Sequence, residues 1–199
     1  MGCKAGTCET RWSLDRLILF IPMKVFTCSI IAILLGLLAL KTFVIGYYRI
    51  PQNGMYPTLP AGSVLFTLKR AYPDVSRVKR GDIIVFVREQ NRQRYNYIWR
   101  VIGLPGDKIQ TSGESLIING QPVGRERVTN AGSRAVSREQ IGDASYQIAF
   151  DSSTQDRPPD VSVIVPVNHL FVMGDNRFNA FDSRRFGPIP FSSVIGKKL

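Results

Sequence analysis

Ile50-Pro51-Gln52-Asn53-Gly54-Met55-Tyr56-Pro57-Thr58-Leu59 is the stretch on which the reading of this chain turns. It leaves a membrane-length apolar run and enters a sequence of strand-length apolar segments. The composition gives an extended approach, a tight turn at Asn53-Gly54 and an exit fixed by Pro57. Taken alone, such a stretch is a connector. Two later blocks make it more than that: Tyr97-Ile98-Trp99-Arg100-Val101-Ile102-Gly103-Leu104-Pro105-Gly106-Asp107 and Met173-Gly174-Asp175-Asn176-Arg177.

N-terminal to this stretch, Val25–Leu40 carries no charge, and continuing through Lys41 to Ile45 gives a helix of about 31 Å, the thickness of a hydrocarbon core. Lys41 is placed to snorkel, and Tyr47 and Tyr48 suit an interfacial belt. A cleaved signal peptide is the rival reading. Its apolar region would be long, and no small-x-small site precedes Tyr47, so a retained anchor is favoured. Lys4, Arg11, Arg16 and Lys24 before the span predict a cytoplasmic N-terminal segment (1–24) and a translocated C-terminal domain.

C-terminal to it, the pattern is that of strands. Ser63–Leu68, Ile83–Val87, Tyr95–Ile102, Tyr146–Phe150, Val161–Val165 and Leu170–Met173 are expected strands. A further one starts at Gly187-Pro188-Ile189-Pro190. Ser115–Ile118, Asn119-Gly120 and Gln121–Val123 read as a hairpin. Ala71–Lys79 and Asp151–Pro159 read as loops, and from Gly124 to about Pro159 the composition turns to Arg, Ser, Gln and Asp. No segment beyond the anchor shows a helical period. The expected fold is mainly β: one domain over 46–199, with a smaller inserted subdomain at about 111–165, preceded by a transmembrane helix at 25–45.

The chain of 199 residues has a formal charge of +11, and from Arg49 onward 21 Lys and Arg stand against 13 Asp and Glu, a net of +8. The basic residues are scattered, and no nucleic-acid motif accompanies them, so nucleic acid is not an expected partner. Anionic lipid beside the anchor is the simpler one. Cys3, Cys8 and Cys28 all precede or lie within the anchor, leaving the main domain without disulfides. No grouping of His, Cys or carboxylates has metal-site spacing, and no cofactor is expected. The lone histidine, His169, sits where a turn leads into a strand and is read as structural rather than as part of a Ser/His/Asp triad.

Together the three blocks resemble those of the type I signal peptidases, membrane-anchored Ser/Lys endopeptidases. The resemblance covers about Tyr48 to Gly196 and is weak between Gly124 and Pro159. It implies a signal-peptidase-like β-rich fold and names positions. The nucleophilic serine of the first block corresponds to Gly54. The oxyanion-hole serine two residues earlier corresponds to Gln52, and the general-base lysine of the second block to Trp99. The third block here reads Gly174-Asp175-Asn176-Arg177-Phe178-Asn179-Ala180-Phe181-Asp182-Ser183-Arg184, in which Ala180 replaces the serine that orients the lysine. Four catalytic positions are thus changed. Arg100, Asp175, Asn176, Arg177, Asp182 and Arg184, which brace the site in the family, stand unchanged.

A Ser/Lys peptidase needs a hydroxyl, an uncharged amine and donors for the oxyanion. Gly54 has no side chain, and an indole offers a donor but no base. The residues fit one another sterically, and Trp99 is expected to pack over Gly54 and plug the former pocket. The family binds substrate as an added strand, and the positions matching its groove walls are Ile50, Pro51, Met55, Leu59, Tyr97 and Ile98. The sequence therefore points to a membrane-anchored, catalytically depleted homologue that binds extended polypeptide, either signal-peptide-like or secreted. By analogy, some depleted members assemble surface structures such as pili. The alternatives are an active signal peptidase with atypical catalysis and a lipid-surface structural module.

Overall fold

The computed structural model describes residues 23–199. Residues 1–22, most of the expected cytoplasmic segment, lie outside the described residues, and Cys3 and Cys8 with them. Two units are distinguished, with the boundary after Lys41. Helix α1 spans Met23–Phe43, and its stretch Val25–Phe43 is long and apolar enough to cross a membrane by length and composition.

The helix ends two residues earlier than the apolar count suggests. Ile45 belongs instead to β1 (Ile45–Arg49), which pairs antiparallel with β2 (Val64–Lys69) from Ile45↔Leu68 to Arg49↔Val64. Tyr47 and Tyr48 are therefore strand residues. Alternation rather than helical period governs them: Tyr47 is exposed and meets Phe66 edge-on at 5.7 Å.

The body is built from three sheets. In the largest, β3 (Ile83–Gln90) and β4 (Gln93–Gly103) form a long hairpin. β12 (His169–Met173) continues the sheet beyond β4, followed by β13 (Ile189–Pro190). On the other side β14 (Val194–Lys198) joins β3 to β2. The β3–β4 arm extends past the apolar run because Asn91 and Arg92 both take positive φ, 53° and 61°, the geometry of a type I′ turn. Without an Asn-Gly or Asp-Gly pair, the sequence hides this hairpin. At Asn119-Gly120, where that signature is present, φ is 53° and 79°, joining β6 (Ser115–Ile118) to β7 (Gln121–Pro122). With β5 (Lys108–Ser112) and β11 (Val161–Ile164) these form the second sheet.

The polar region after Val123 folds as a third sheet: β8 (Gly124–Ala131), β9 (Arg134–Ile141) and β10 (Ala144–Asp151). Strand β9 was not legible as such because its inward positions include Ser137 and Glu139 beside Val136 and Ile141. Burying a carboxylate is costly unless it is paired, and Glu139 is paired, as described below. The one helix in the body is α2 (Ser183–Phe186), a single turn whose N-cap Asp182 accepts from Arg184 N at 3.1 Å.

The core has two parts. One, under the largest sheet, gathers Ile50, Met55, Leu59, Trp99 and Ala180 among its members. The other, where strands of the largest sheet meet the smaller sheets, contains Ile102, Ile109, Phe150, Phe171 and Phe178.

Candidate functional site

The central stretch is held by its own backbone. Ile50 N–H donates to the Ser63 carbonyl (2.9 Å), Tyr56 N–H to Asn53 (3.1 Å) and Leu59 N–H to Met55 (2.8 Å). The Asn53 side chain accepts from Ala61 N at 2.9 Å and closes the loop. Asn176 N–H donates to the Gly54 carbonyl at 3.0 Å, tying the first block to the third. The Tyr56–Pro57 bond is cis.

Trp99, from β4, lies directly on this loop. Its ring is 9 % exposed. A Cβ on Gly54 would fall 2.7 Å from Trp99 Cζ3 and closer still to Cη2. On Gly174 it would fall 2.6 Å from the Gly54 carbonyl oxygen, 2.9 Å from Trp99 Cζ3, and nearer yet to Ala180 Cβ. Gly54, Trp99, Ala180 and Gly174 thus form one packed cluster, with the six-membered ring of the indole against the bare backbone of both glycines. The indole N–H and the Asn176 amide have no hydrogen-bond partner among the described residues.

Beside this cluster opens a cleft of about 380 Å³. Ile50, Pro51 and Met55 line one wall and Tyr97 and Ile98 the other, so five of the six expected groove positions come together. Leu59 does not line it: it is bridged to Met55 and sits in the core. Gln52 lines the cleft, as do Gln90, Tyr95, Asn96, Asn179 and Phe181, which the sequence reading did not single out. Asn179 and Phe181 flank Ala180 in the third block, a signal that was available. The lining contains no Ser, Thr, Cys, Lys or His.

One wall of the cleft is a free strand edge. β3 pairs with β4 from Gln93 to Arg100, whereas β12 reaches only Arg100–Gly103 on the other side. The second edge of Gln93–Trp99 has no strand partner among the described residues, a length of about 23 Å at strand rise.

The bracing positions are all buried. Arg100 forks onto Asp175 (Nε–Oδ1 2.7 Å, Nη2–Oδ2 2.6 Å), donates to the Gly81 carbonyl at 2.8 Å and stacks on Tyr146 at 3.9 Å. Arg177 pairs with Glu139 through both nitrogens of its fork, one at 2.7 Å. Burial alone would raise the Glu139 carboxyl, but Arg177, with help from the Tyr146 hydroxyl and Arg125, holds it below the ordinary range. Burial, then Glu139, pushes the Tyr146 phenol well up. Asp182 takes Gly174 N–H at 2.9 Å and Arg184 Nη2 at 2.7 Å, while Arg184 also donates to the Arg177 carbonyl at 2.6 Å. Glu139 and Arg125 escaped the sequence reading because they lie on polar strands with no motif, and Tyr146, on an expected strand, was given no role there.

The remaining hydroxyls and the imidazole are engaged elsewhere. Ser183 Oγ accepts from Val172 N–H at 3.0 Å. Thr58 Oγ1 accepts from Arg100 Nη2 at 3.3 Å. His169 Nδ1 lies 2.9 Å from the Val167 carbonyl, at the start of β12 and not on the cleft.

In the β-rich body a braced loop faces an open strand edge across a cleft, and the chain also carries a helix of membrane-crossing length. The chain belongs to the signal peptidase family, peptidase S26, whose model matches residues 23–199. It is 32 % identical over 195 residues to signal peptidase I of Pseudomonas fluorescens, covering 85 % of this chain and 68 % of that one. It is 36 % identical over 155 residues to signal peptidase I S of Bacillus subtilis strain 168, covering 78 % and 74 %. A crystal structure of a signal peptidase I from Enterococcus faecalis V583 is similar at 27 % identity, with a TM-score of 0.38, covering 62 % of this chain and 98 % of that one.

Proposed function

We propose that this chain is a non-catalytic member of its family that holds extended polypeptide in the cleft. The observation that carries this is the contact between Trp99 and Gly54: the indole occupies the space a nucleophile's Cβ would need, and the cleft offers neither an aliphatic hydroxyl nor an amine for a Ser/Lys mechanism. The tyrosines on the cleft are no substitute, since the lining holds no base to take a phenolic proton. Binding has different needs. The free edge of β4 supplies main-chain donors and acceptors, and strand addition does not depend on a dyad.

The reading includes an orientation: N-terminus cytoplasmic and the β body on the far side of the membrane, presented to secreted or signal-peptide-like chains. Protease added to spheroplasts with an intact inner membrane is expected to digest the body, and protection of the body there would refute that topology.

The experiment compares the parent with the triple change Gly54→Ser, Trp99→Lys and Ala180→Ser on a preprotein substrate. The parent is expected to be inert, and the triple change to cut. A second reading, an active peptidase with atypical catalysis, is favoured by the names of the relatives, each called signal peptidase I. Cleavage by the pure parent chain, unaffected when Trp99 is replaced by Phe, would establish it and overturn the first.

A further inference from the structure

The lining of the cleft differs from the rest of the chain in its chemistry. This is a protein of net charge +11 in which charged residues make up 21 %, yet no charged side chain lines the cleft. What lines it is aromatic and amide. Tyr95 and Phe181 are 45 % and 43 % exposed, large rings left open where soluble surfaces normally cover them.

Phe181 stands at the open end of a connected aromatic run, and Tyr95 lies opposite Arg88 across the β3–β4 hairpin. Phe181 touches Phe186 at 5.6 Å between centroids, Phe186 meets Tyr97 edge-on at 6.1 Å, and Tyr97 leans on Trp99 at 6.5 Å. The Arg88 guanidinium packs over Phe186 at 4.6 Å and lies 5.7 Å from Phe181, holding the platform in place. At the closed end the situation is reversed. The indole of Trp99 already fills the space above Gly54 and beside Ala180, so a strand passing there finds no pocket beneath it.

We propose that the cleft takes an uncharged, extended polypeptide segment that adds along the open edge of β4, rests an aromatic side chain on Tyr95 and Phe181, and presents glycine or alanine to Trp99. This rests on the reading of the cleft as a strand-binding groove and names what the groove selects. A ring laid on exposed rings gains contact area and favourable ring–ring geometry. A basic side chain there would face the Arg88 guanidinium and lose hydration with no carboxylate on the cleft lining. The amides of Gln52, Asn96 and Asn179 remain to hydrogen-bond the main chain of the guest.

The full chain in detergent micelles would be titrated, by fluorescence polarisation, with capped eight-residue peptides of alternating threonine and glutamine that hold alanine at position 2 or at position 7 and carry Phe, Ala or Lys four residues from it, the spacing of Tyr95 and Trp99 on β4. The Phe peptide is expected to bind about three- to tenfold more tightly than the Ala peptide, and the Lys peptide more weakly than either. Phe181→Ala and Tyr95→Ala should each level Phe with Ala while leaving the thermal midpoint unchanged. N-methylation of the Phe peptide at alternate residues, in either phase, should abolish binding.

The outcomes separate the two claims. Binding that survives N-methylation in both phases, or no peptide binding at all, refutes strand addition and the selection with it. Binding sensitive to methylation but equal for Phe and Ala, or tighter for Ala, leaves the groove standing and overturns the aromatic preference. An N-acetylglucosamine tetramer that binds in place of the peptides and is lost in Phe181→Ala would make the cleft a glycan site and overturn both.

Discussion

Replacing Gly54 with serine tests the packing at the centre of the site. With Trp99 in place, the new Cβ would stand 2.7 Å from Cζ3 and closer to Cη2, where carbon atoms need about 3.5–4.0 Å. The ring would have to retreat by about 1 Å. It has little room to do so, being packed against Gly174 and Ala180. Overpacking of this kind costs about 1–3 kcal/mol. For a body of this size that is a fall of very roughly 2–12 °C in Tm. In a Trp99→Ala background the obstacle is gone, and Gly54→Ser should be close to neutral, although Trp99→Ala alone costs about 3–5 kcal/mol through the cavity it leaves. The coupling read from the double-mutant cycle should therefore be about 1–3 kcal/mol, in the sense that the pair is less destabilised than the sum. Thermal and urea unfolding of the four proteins, followed by circular dichroism, measures it. Additive effects, or a Gly54→Ser protein as stable as the parent, would refute the claim that the indole occupies the nucleophile position.

Other perturbations follow from the same geometry. Arg177→Met leaves Glu139 buried without its principal partner and should destabilise by about 3–5 kcal/mol, read as a fall in the urea midpoint at constant slope. Because the folded carboxyl of Glu139 is held below its unfolded value, its contribution is full above about pH 4–5 and is lost as pH falls through the folded pKa. Glu139→Gln should flatten that part of the acid-denaturation profile. Asn53→Ala removes the 2.9 Å bond to Ala61 N–H and should cost about 1 kcal/mol, with amide exchange rising first in the 50–62 loop. Arg92→Gly replaces a residue at φ 61° with one suited to it and should stabilise the β3–β4 arm by about 0.5–1 kcal/mol, seen as slower exchange across the Glu89–Arg94 pair.

The parts of the fold that were legible in the sequence are those where hydrophobicity and turn chemistry agree. Ile83–Val87 and Leu170–Met173 are apolar runs bounded by turns, and both are buried strands. Asn119-Gly120 announces its hairpin. Strands β8 and β9 failed that test because ion pairs, rather than apolar side chains, occupy several of their inward positions, and Glu139 finds Arg177 only across 38 residues of chain. The cleft was half legible. Its apolar wall was read from the three blocks, while Gln90, Tyr95 and Asn96 depend on how far the β3–β4 arm extends, which is set by two positive φ values, one at Asn91, which tolerates it, and one at Arg92, which gives no sequence signal for it.

The site also explains how Gly54, Trp99 and Ala180 can stand together without loss of the fold. Trp99 and Arg100 are neighbours on β4, and successive side chains of a strand point to opposite faces. Trp99 packs on Gly54 and Gly174, whereas Arg100 points away to Asp175 and Tyr146. In the third block Gly174 lies against the indole, and the adjacent Asp175 receives the Arg100 fork. The same two elements thus carry chemistry on one face and their buried staple on the other. Substitution on the first face changes what the cleft does, and substitution on the second changes whether there is a cleft. Arg100→Met should accordingly cost about 3–5 kcal/mol and abolish peptide binding. Trp99→Phe should spare most of the stability and alter only which peptides bind. If Arg100→Met bound peptides as the parent does, the two faces would be independent and the staple would have no part in shaping the groove.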